Sequence, residues 1–237
     1  MKVNFGNIIS ISTVDWRGRS ACVVFFNRCP FMCSYCQNHK LLNKTNLVNI
    51  DIIKKKIDEQ KNFISAIVFS GGEPTMQCIA LEELAKFSKN LGLLVGVETN
   101  GYYPEVLKRL ANKKLIDKIF LDIKTSLLDQ KKYSEITGGM VDANKKVIES
   151  LRIQNAIVEA RTTVFRFIID DILDIAKYLK EHDYKQTYVL QQGIPRYAPE
   201  EEIRKQKFVS IKELMDIAKN VSSLTGINIR VDQNTIY

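Results

Sequence analysis

Three cysteines stand within eight residues near the start of the chain. They are Cys29, Cys33 and Cys36, in the string Arg28-Cys29-Pro30-Phe31-Met32-Cys33-Ser34-Tyr35-Cys36. A cubane iron–sulfur cluster has four irons, and full ligation takes one thiolate for each. Three thiolates leave one iron without a protein ligand. An open metal position marks a reactive centre, whereas a closed one is structural or only carries electrons. The spacing therefore predicts a metal centre that binds something further.

The cysteines by themselves admit two other centres. His39 follows Cys36 by three positions, so Cys29, Cys33, Cys36 and His39 would form a tetrahedral zinc set. Alternatively, Cys22 or Cys78 would complete a cubane and make an electron-transfer or structural protein. Cys22 lies in an apolar run and Cys78 on a predicted helix, positions where thiols are commonly buried and inert. A zinc site would not account for the other polar residues that the chain gathers.

Those residues sit at the ends of predicted strands. Short apolar runs predict strands at 20–27, 64–69, 93–97, 118–123, 157–165 and 186–191. Amphipathic stretches predict helices at 51–62, 78–90, 103–111, 142–152, 171–181 and 210–222, and a last apolar run covers 227–231. The alternation argues for parallel βαβ units. Six units fall short of the eight in a complete barrel. The expected fold class is α/β, a partial (β/α)6 TIM-like barrel, with an open doubly wound sheet as the alternative.

On this map the cysteines follow the first strand, Ser70-Gly71-Gly72-Glu73-Pro74 the second and Glu98-Thr99-Asn100-Gly101 the third. Asp122 and Lys124 close the fourth, Arg161, Thr162 and Thr163 lie in the fifth, and Gln191 and Gln192 end the sixth. In parallel α/β folds the carboxyl ends of the strands share one face, and ligands bind there. Each segment also has an ordinary reading. Gly71-Gly72 and Asn100-Gly101 are turn pairs, Glu73 is a helix-start carboxylate, and Asp122 pairs with Lys124.

The chain has 237 residues, 45% of them hydrophobic, which suits one domain spanning 1–237. Within it, 1–19 reads as a short extension and 192–207 as a surface loop or lid. Five cysteines, three of them clustered, predict metal in a reducing compartment and not a disulfide scaffold. The start lacks an apolar signal segment and no run is long enough to span a bilayer, so a cytoplasmic protein is expected. The net charge of +8 reads as a lysine-rich solvated surface, with runs such as Lys54-Lys55-Lys56 and Lys131-Lys132. No basic and aromatic alternation suggests a nucleic-acid platform.

Cys-x3-Cys-x2-Cys, with Tyr35 just before its last cysteine, resembles the signature of the radical S-adenosylmethionine (radical SAM) superfamily. A Gly-Gly-Glu-Pro segment, then Thr99-Asn100-Gly101 and then Asp122-Ile123-Lys124 follow in that family's order, and the likeness spans residues 7–165. The opening, Gly6 to Asn38 with Ser12-Thr13-Val14-Asp15-Trp16-Arg17-Gly18-Arg19, is similar to the activating enzymes of glycyl-radical enzymes. Within these it is similar to the branch that activates anaerobic ribonucleotide reductase.

The resemblance implies that Cys29, Cys33 and Cys36 hold one 4Fe–4S cluster whose fourth iron takes the amine and carboxylate of S-adenosylmethionine. Backbone at Gly71, Gly72 and Glu73 would receive the amino group, and Tyr35 would pack near the adenine. Thr99, Asn100, Asp122, Lys124 and Arg161 would contact the cofactor, with Asn100, Asp122 and Lys124 on its ribose and carboxylate side. Glu98 and Asp122 would hold a monovalent cation. The implied activity is that of an oxidoreductase. One electron cleaves the cofactor to a 5′-deoxyadenosyl radical, which takes hydrogen from a backbone glycine of a partner enzyme. No cysteine occurs from Gln37 to Phe69, so a single cluster and an external electron donor, a flavodoxin or ferredoxin, are expected. Arg28, Gln37 and Glu98 stand where the family commonly has glycine, histidine and aspartate. A deazapurine-forming enzyme of the 7-carboxy-7-deazaguanine synthase type, or a tRNA-modifying member, is the alternative within the superfamily.

Overall fold

The computed structural model describes residues 1–232. Residues 233–237, the end of the span read as one domain, lie outside the described residues. Among the described residues nine strands form one sheet: β1 (Lys2–Ser12), β2 (Ala21–Phe26), β3 (Leu47–Asn49), β4 (Ala66–Gly71), β5 (Leu94–Thr99), β6 (Lys118–Asp122), β7 (Ile157–Val164), β8 (Tyr188–Gln192) and β9 (Ile229–Asp232). The order is β3-β1-β2-β4-β5-β6-β7-β8-β9. From β2 onward through β4 to β9 every pairing is parallel, while β1 runs antiparallel to both β2 and β3.

Each new parallel strand adds to the same edge. A doubly wound sheet reverses direction at a switch point; this one does not, and it is laid out like a barrel left open. Helices α1 (Ile50–Asp58), α2 (Cys78–Asn90), α3 (Pro104–Asn112), α4 (Gln130–Ile136), α5 (Ala143–Leu151), α6 (Asp171–Glu181), α7 (Glu201–Arg204) and α8 (Ile211–Thr225) complete the chain. Strand residues such as Val24, Phe69, Val97, Leu121 and Leu190 pack with Ile53, Leu84, Leu107, Ile175 and Leu214 in one large core under the helices. The opposite face carries a small core of Trp16, Ala21, Val23, Ala66, Val68 and Phe120. Among the described residues, no helix is long and apolar enough to cross a membrane.

Trp16 plugs this concave side. Its ring meets Phe120 edge-on with centroids 5.4 Å apart. Gly96 lies beneath both rings, since a β-carbon there would stand 2.7 Å from Phe120 and 3.0 Å from Trp16. The β1–β2 connection thus curls across the sheet as far as β9, where Arg17 pairs with Asp232 at 3.9 Å. That reach is what turns the sheet into a partial barrel.

The stretch read as an extension is mostly β1. A bulge between Phe5 and Asn7 shifts its register against β2, so Phe5 and Ile8 face the same core despite their odd spacing. Segment 192–207 is also tied down. Gln192 donates from its side chain to the Val209 carbonyl at 2.9 Å, and Ala198 and Ile203 are buried with Tyr35 and Phe165. The segment's apolar residues thus join a small core of their own.

Candidate active site

A cavity of about 550 Å³ opens at the carboxyl ends of the parallel strands, within the usual range for small-molecule sites. Cys29, Cys33, Cys36, Gly71, Gly72, Glu98, Thr99, Asn100, Asp122, Lys124 and Arg161 all line it. Tyr35 and the Glu73 side chain do not. Asp15, Gln191 and Asp232 line it as well. Of these, Asp232 was missed because β9 is a single four-residue strand end with no motif around it.

The cysteine loop leaves β2 and is fixed by backbone contacts on three sides. Arg28 N–H donates to the Leu41 carbonyl at 2.9 Å, and Met32 N–H to that of Thr137 at 3.0 Å. From β4, Gly72 N–H reaches the Phe26 carbonyl and Glu73 N–H the Arg28 carbonyl, both at 2.8 Å. Arg28 adopts φ +71° to make this turn, a left-handed conformation that costs a non-glycine residue about 1–2 kcal/mol. The resemblance gives the backbone at Gly71-Gly72 a cofactor contact. The closest approach is to Phe26 and Arg28, the residues that lead into the cysteines.

Glu73 is fully buried and acts as a clamp. One oxygen accepts from Thr75 N–H at 3.0 Å, Thr75 hydroxyl at 2.5 Å and Thr99 hydroxyl at 2.8 Å; the other accepts from Asn100 N–H at 2.8 Å. Burial raises its pKa, and these four donors work against that rise. The carboxylate joins the ends of β4 and β5 and does not line the cavity. Asn100 turns its side-chain amide toward the cysteine loop, with Nδ2 3.4 Å from Cys29 Sγ.

All five cysteines are free thiols. Burial pushes up Cys29, Cys33 and Cys36, with Cys33 reaching about 12. Such thiols are unreactive by themselves, and a bound metal would supply the charge that deprotonates them. Cys22 faces the helix-side core, and neither it nor Cys78 lines the cavity. His39 directs Nδ1 to the Cys36 carbonyl at 3.1 Å. Among the described residues no three His, Cys, Asp or Glu side chains gather around one ion position. Cubane ligands stand farther apart, because each binds a different iron.

Asp122 and Lys124 pair across the end of β6. Burial disfavours the Lys124 ammonium, but the Asp122 carboxylate outweighs it and holds the amine charged far above its ordinary range. The second Asp122 oxygen, Oδ1, is buried without a protein partner. A ligand hydroxyl or ammonium in the cavity would satisfy it. Tyr35 does not line the cavity. Its ring packs on Phe165 and Phe167, at centroid distances of 5.0 and 5.7 Å, and its hydroxyl donates to the Lys124 carbonyl at 3.2 Å. Aromatic burial has made it a prop for the cysteine loop and Lys124.

Arg161 is the hub of the concave face. It donates to Glu159 at 2.9 Å, Glu98 at 2.8 Å and the Asp15 carbonyl at 3.3 Å, and lies 3.9 Å from the Phe120 ring centroid. The other Glu98 oxygen accepts from the Ser70 hydroxyl at 2.7 Å. Both Glu98 oxygens are held, by Arg161 and Ser70, while one Asp122 oxygen holds Lys124 and the other is the one without a protein partner. Burial nonetheless raises the Glu98 pKa despite Arg161. Arg161→Ala is expected to cost about 3–5 kcal/mol by stranding Glu98 and Glu159. A carboxyl whose folded pKa is raised destabilises the fold as pH climbs past its unfolded value. The loss should therefore shrink as pH falls toward that value, measured by denaturant midpoints across a pH series.

The family model of the radical SAM superfamily matches residues 23–179. A Methanocaldococcus jannaschii protein named as a glycyl-radical enzyme activating enzyme is 35% identical over 228 residues, 92% of each chain. The pyruvate formate-lyase-activating enzyme of Clostridium pasteurianum is 33% identical over 142 residues, 56% of each chain. Among solved structures, Streptococcus suis SuiB bound to its precursor peptide SuiA superposes with a TM-score of 0.68 at 17% identity. That match covers 91% of this chain and 48% of SuiB, so the chain spans about half the length of that relative and the likeness speaks for the fold alone.

Proposed function

This chain belongs to the radical SAM superfamily, and from that premise we propose that it activates a glycyl-radical enzyme of the anaerobic ribonucleotide reductase type. The observation that carries the reading is the three-thiol loop at one cavity with Gly71, Gly72, Asn100, Asp122 and Lys124, together with 35% identity across 92% of a relative named as a glycyl-radical enzyme activating enzyme. The donor set fits a cluster: three free thiols lining one cavity, no competing fourth cysteine in it, and an orphan carboxylate oxygen in the same lining.

Cys29, Cys33 and Cys36 would hold one 4Fe–4S cluster. When bound with S-adenosylmethionine, it supplies one-electron cleavage of the sulfonium to a 5′-deoxyadenosyl radical. The protein's part is placement. Backbone at Gly71–Glu73 receives the cofactor's amino group, and Lys124 and Arg161 offer positive charge to its carboxylate side. Asp122 Oδ1 accepts from a hydroxyl. Trp16 and Phe120 wall off the far side of the concave face from solvent. The partner glycine enters as a protein loop, and a flavodoxin or ferredoxin brings the electron. Arg161 balances the Glu98 carboxylate.

The test is anaerobic reconstitution with iron and sulfide, reduction, and addition of S-adenosylmethionine, with and without the reductase. The expected results are 5′-deoxyadenosine and, with the reductase present, a glycyl-radical resonance. An intact cluster that yields no 5′-deoxyadenosine overturns the reading. Cleavage without any glycyl radical overturns the choice of partner.

A further inference from the structure

Asn100 is 6% exposed and its side-chain orientation is fixed by its neighbours. Its backbone N–H donates to Glu73 at 2.8 Å, and its Oδ1 accepts from Tyr102 N–H at 3.0 Å. The oxygen end is thereby committed to a donor. Flipping the amide would set one N–H against another, so the NH2 end must face Cys29 Sγ, 3.4 Å away. A ligating thiolate only accepts, and the amide is the side-chain donor placed to serve it. Glu73, a carboxylate bonded to the other side of the same residue, pushes the opposite way, disfavouring negative charge on Cys29.

We propose that Asn100 sets the reduction potential of the cluster held by Cys29, Cys33 and Cys36 through an N–H···S bond to Cys29. Hydrogen bonds to cluster sulfurs are among the determinants of potential, and partners one step removed from the metal tune its ligands. A donor at the sulfur favours the reduced, more electron-rich state. Asn100 is then a positioning and tuning residue, where the resemblance would make it a contact to the cofactor's ribose or carboxylate side. The inference rests on the cluster reading and is independent of which partner enzyme is activated.

The experiment is a redox titration of the reconstituted full chain, followed by electron paramagnetic resonance, with neither S-adenosylmethionine nor partner present. Asn100→Asp keeps an acceptor for Tyr102 N–H and replaces the donor with an oxygen. Its potential should fall by at least 59 mV, a tenfold change in a one-electron equilibrium. Asn100→Ala, which only removes the donor, should fall in the same direction by less. Cys22→Ala, on the far side of the sheet, should leave the potential unchanged. Variants with full iron content and the wild-type potential overturn the proposal. So does a weakened S-adenosylmethionine affinity at an unchanged potential, which would make Asn100 a cofactor contact. Failure of both variants to retain any cluster would assign Asn100 to folding and overturn it as well. A wild-type cluster that titrates normally but activates no glycine would count against the proposed function alone.

Discussion

Cys33→Ala is expected to abolish cluster retention and S-adenosylmethionine cleavage together while leaving the fold nearly intact. Cys33 is buried between its neighbours in the loop and the helix-side core. Removing its sulfur takes away one of three thiolates and costs the core only a small volume. Large-to-small changes of this size destabilise by about 1–2 kcal/mol. Two remaining thiolates cannot hold a cubane that already lacks a fourth protein ligand. Iron and sulfide should fall to background, and 5′-deoxyadenosine with them, while the thermal midpoint moves by a few degrees. Cys22→Ala provides the contrast. Its thiol is fully buried in β2, facing the helices, and its pKa is pushed up to about 12 by burial. That variant should lose stability by a similar amount and keep its cluster. If Cys22→Ala instead lost iron, the closed-cluster reading would return.

Much of this site was legible because its parts are tied to strand ends. Helix α2 begins and ends where periodicity placed it, at 78 and 90. The parallel strands fall within two residues of their predicted starts and ends. That accuracy follows from burial on both faces, which makes each strand a short continuous apolar run. Where a second rule intervened, legibility failed. The bulge at Gly6 broke the alternation that would have revealed β1. Helix α4 is seven largely polar residues, too short for periodicity. Its one signal was Asp129, whose side chain caps Lys132 N–H at 2.9 Å. That helix matters to the site, since its Tyr133 hydroxyl accepts from Lys124 N–H at 3.2 Å and Thr137, just beyond it, holds the cysteine loop. Side-chain direction was the other unreadable quantity. Tyr35 and Glu73 occupy motif positions, yet both turn away from the cavity to support what lines it. Motif order can locate such residues, but only packing decides which way they point.

Gly72→Ala should disable cluster loading almost as completely as loss of a ligand, because its methyl group would meet the backbone that leads into the cysteines. A β-carbon on Gly72 would overlap the Arg28 carbonyl and stand 2.5 Å from its carbon, inside the 3.0 Å that real β-carbons keep. The obstacle is backbone, so no rotamer change relieves it. Arg28 has little room to retreat, because its N–H is held by Leu41 and its carbonyl by Glu73 N–H, and its φ is already left-handed. The strain must pass to the next residue, which is Cys29. Overpacking of this kind costs about 1–3 kcal/mol. A displacement of Cys29 would also break its contact with Asn100. Iron content after reconstitution is expected to fall more than tenfold, with far-ultraviolet circular dichroism unchanged. Arg28→Gly in the same chain should restore part of the loading, since glycine adopts positive φ freely and can yield where arginine cannot. The pair would then show coupling beyond the sum of its single effects. Normal loading of Gly72→Ala alone would mean that the close approach of β4 to the cysteine loop does not position the cluster.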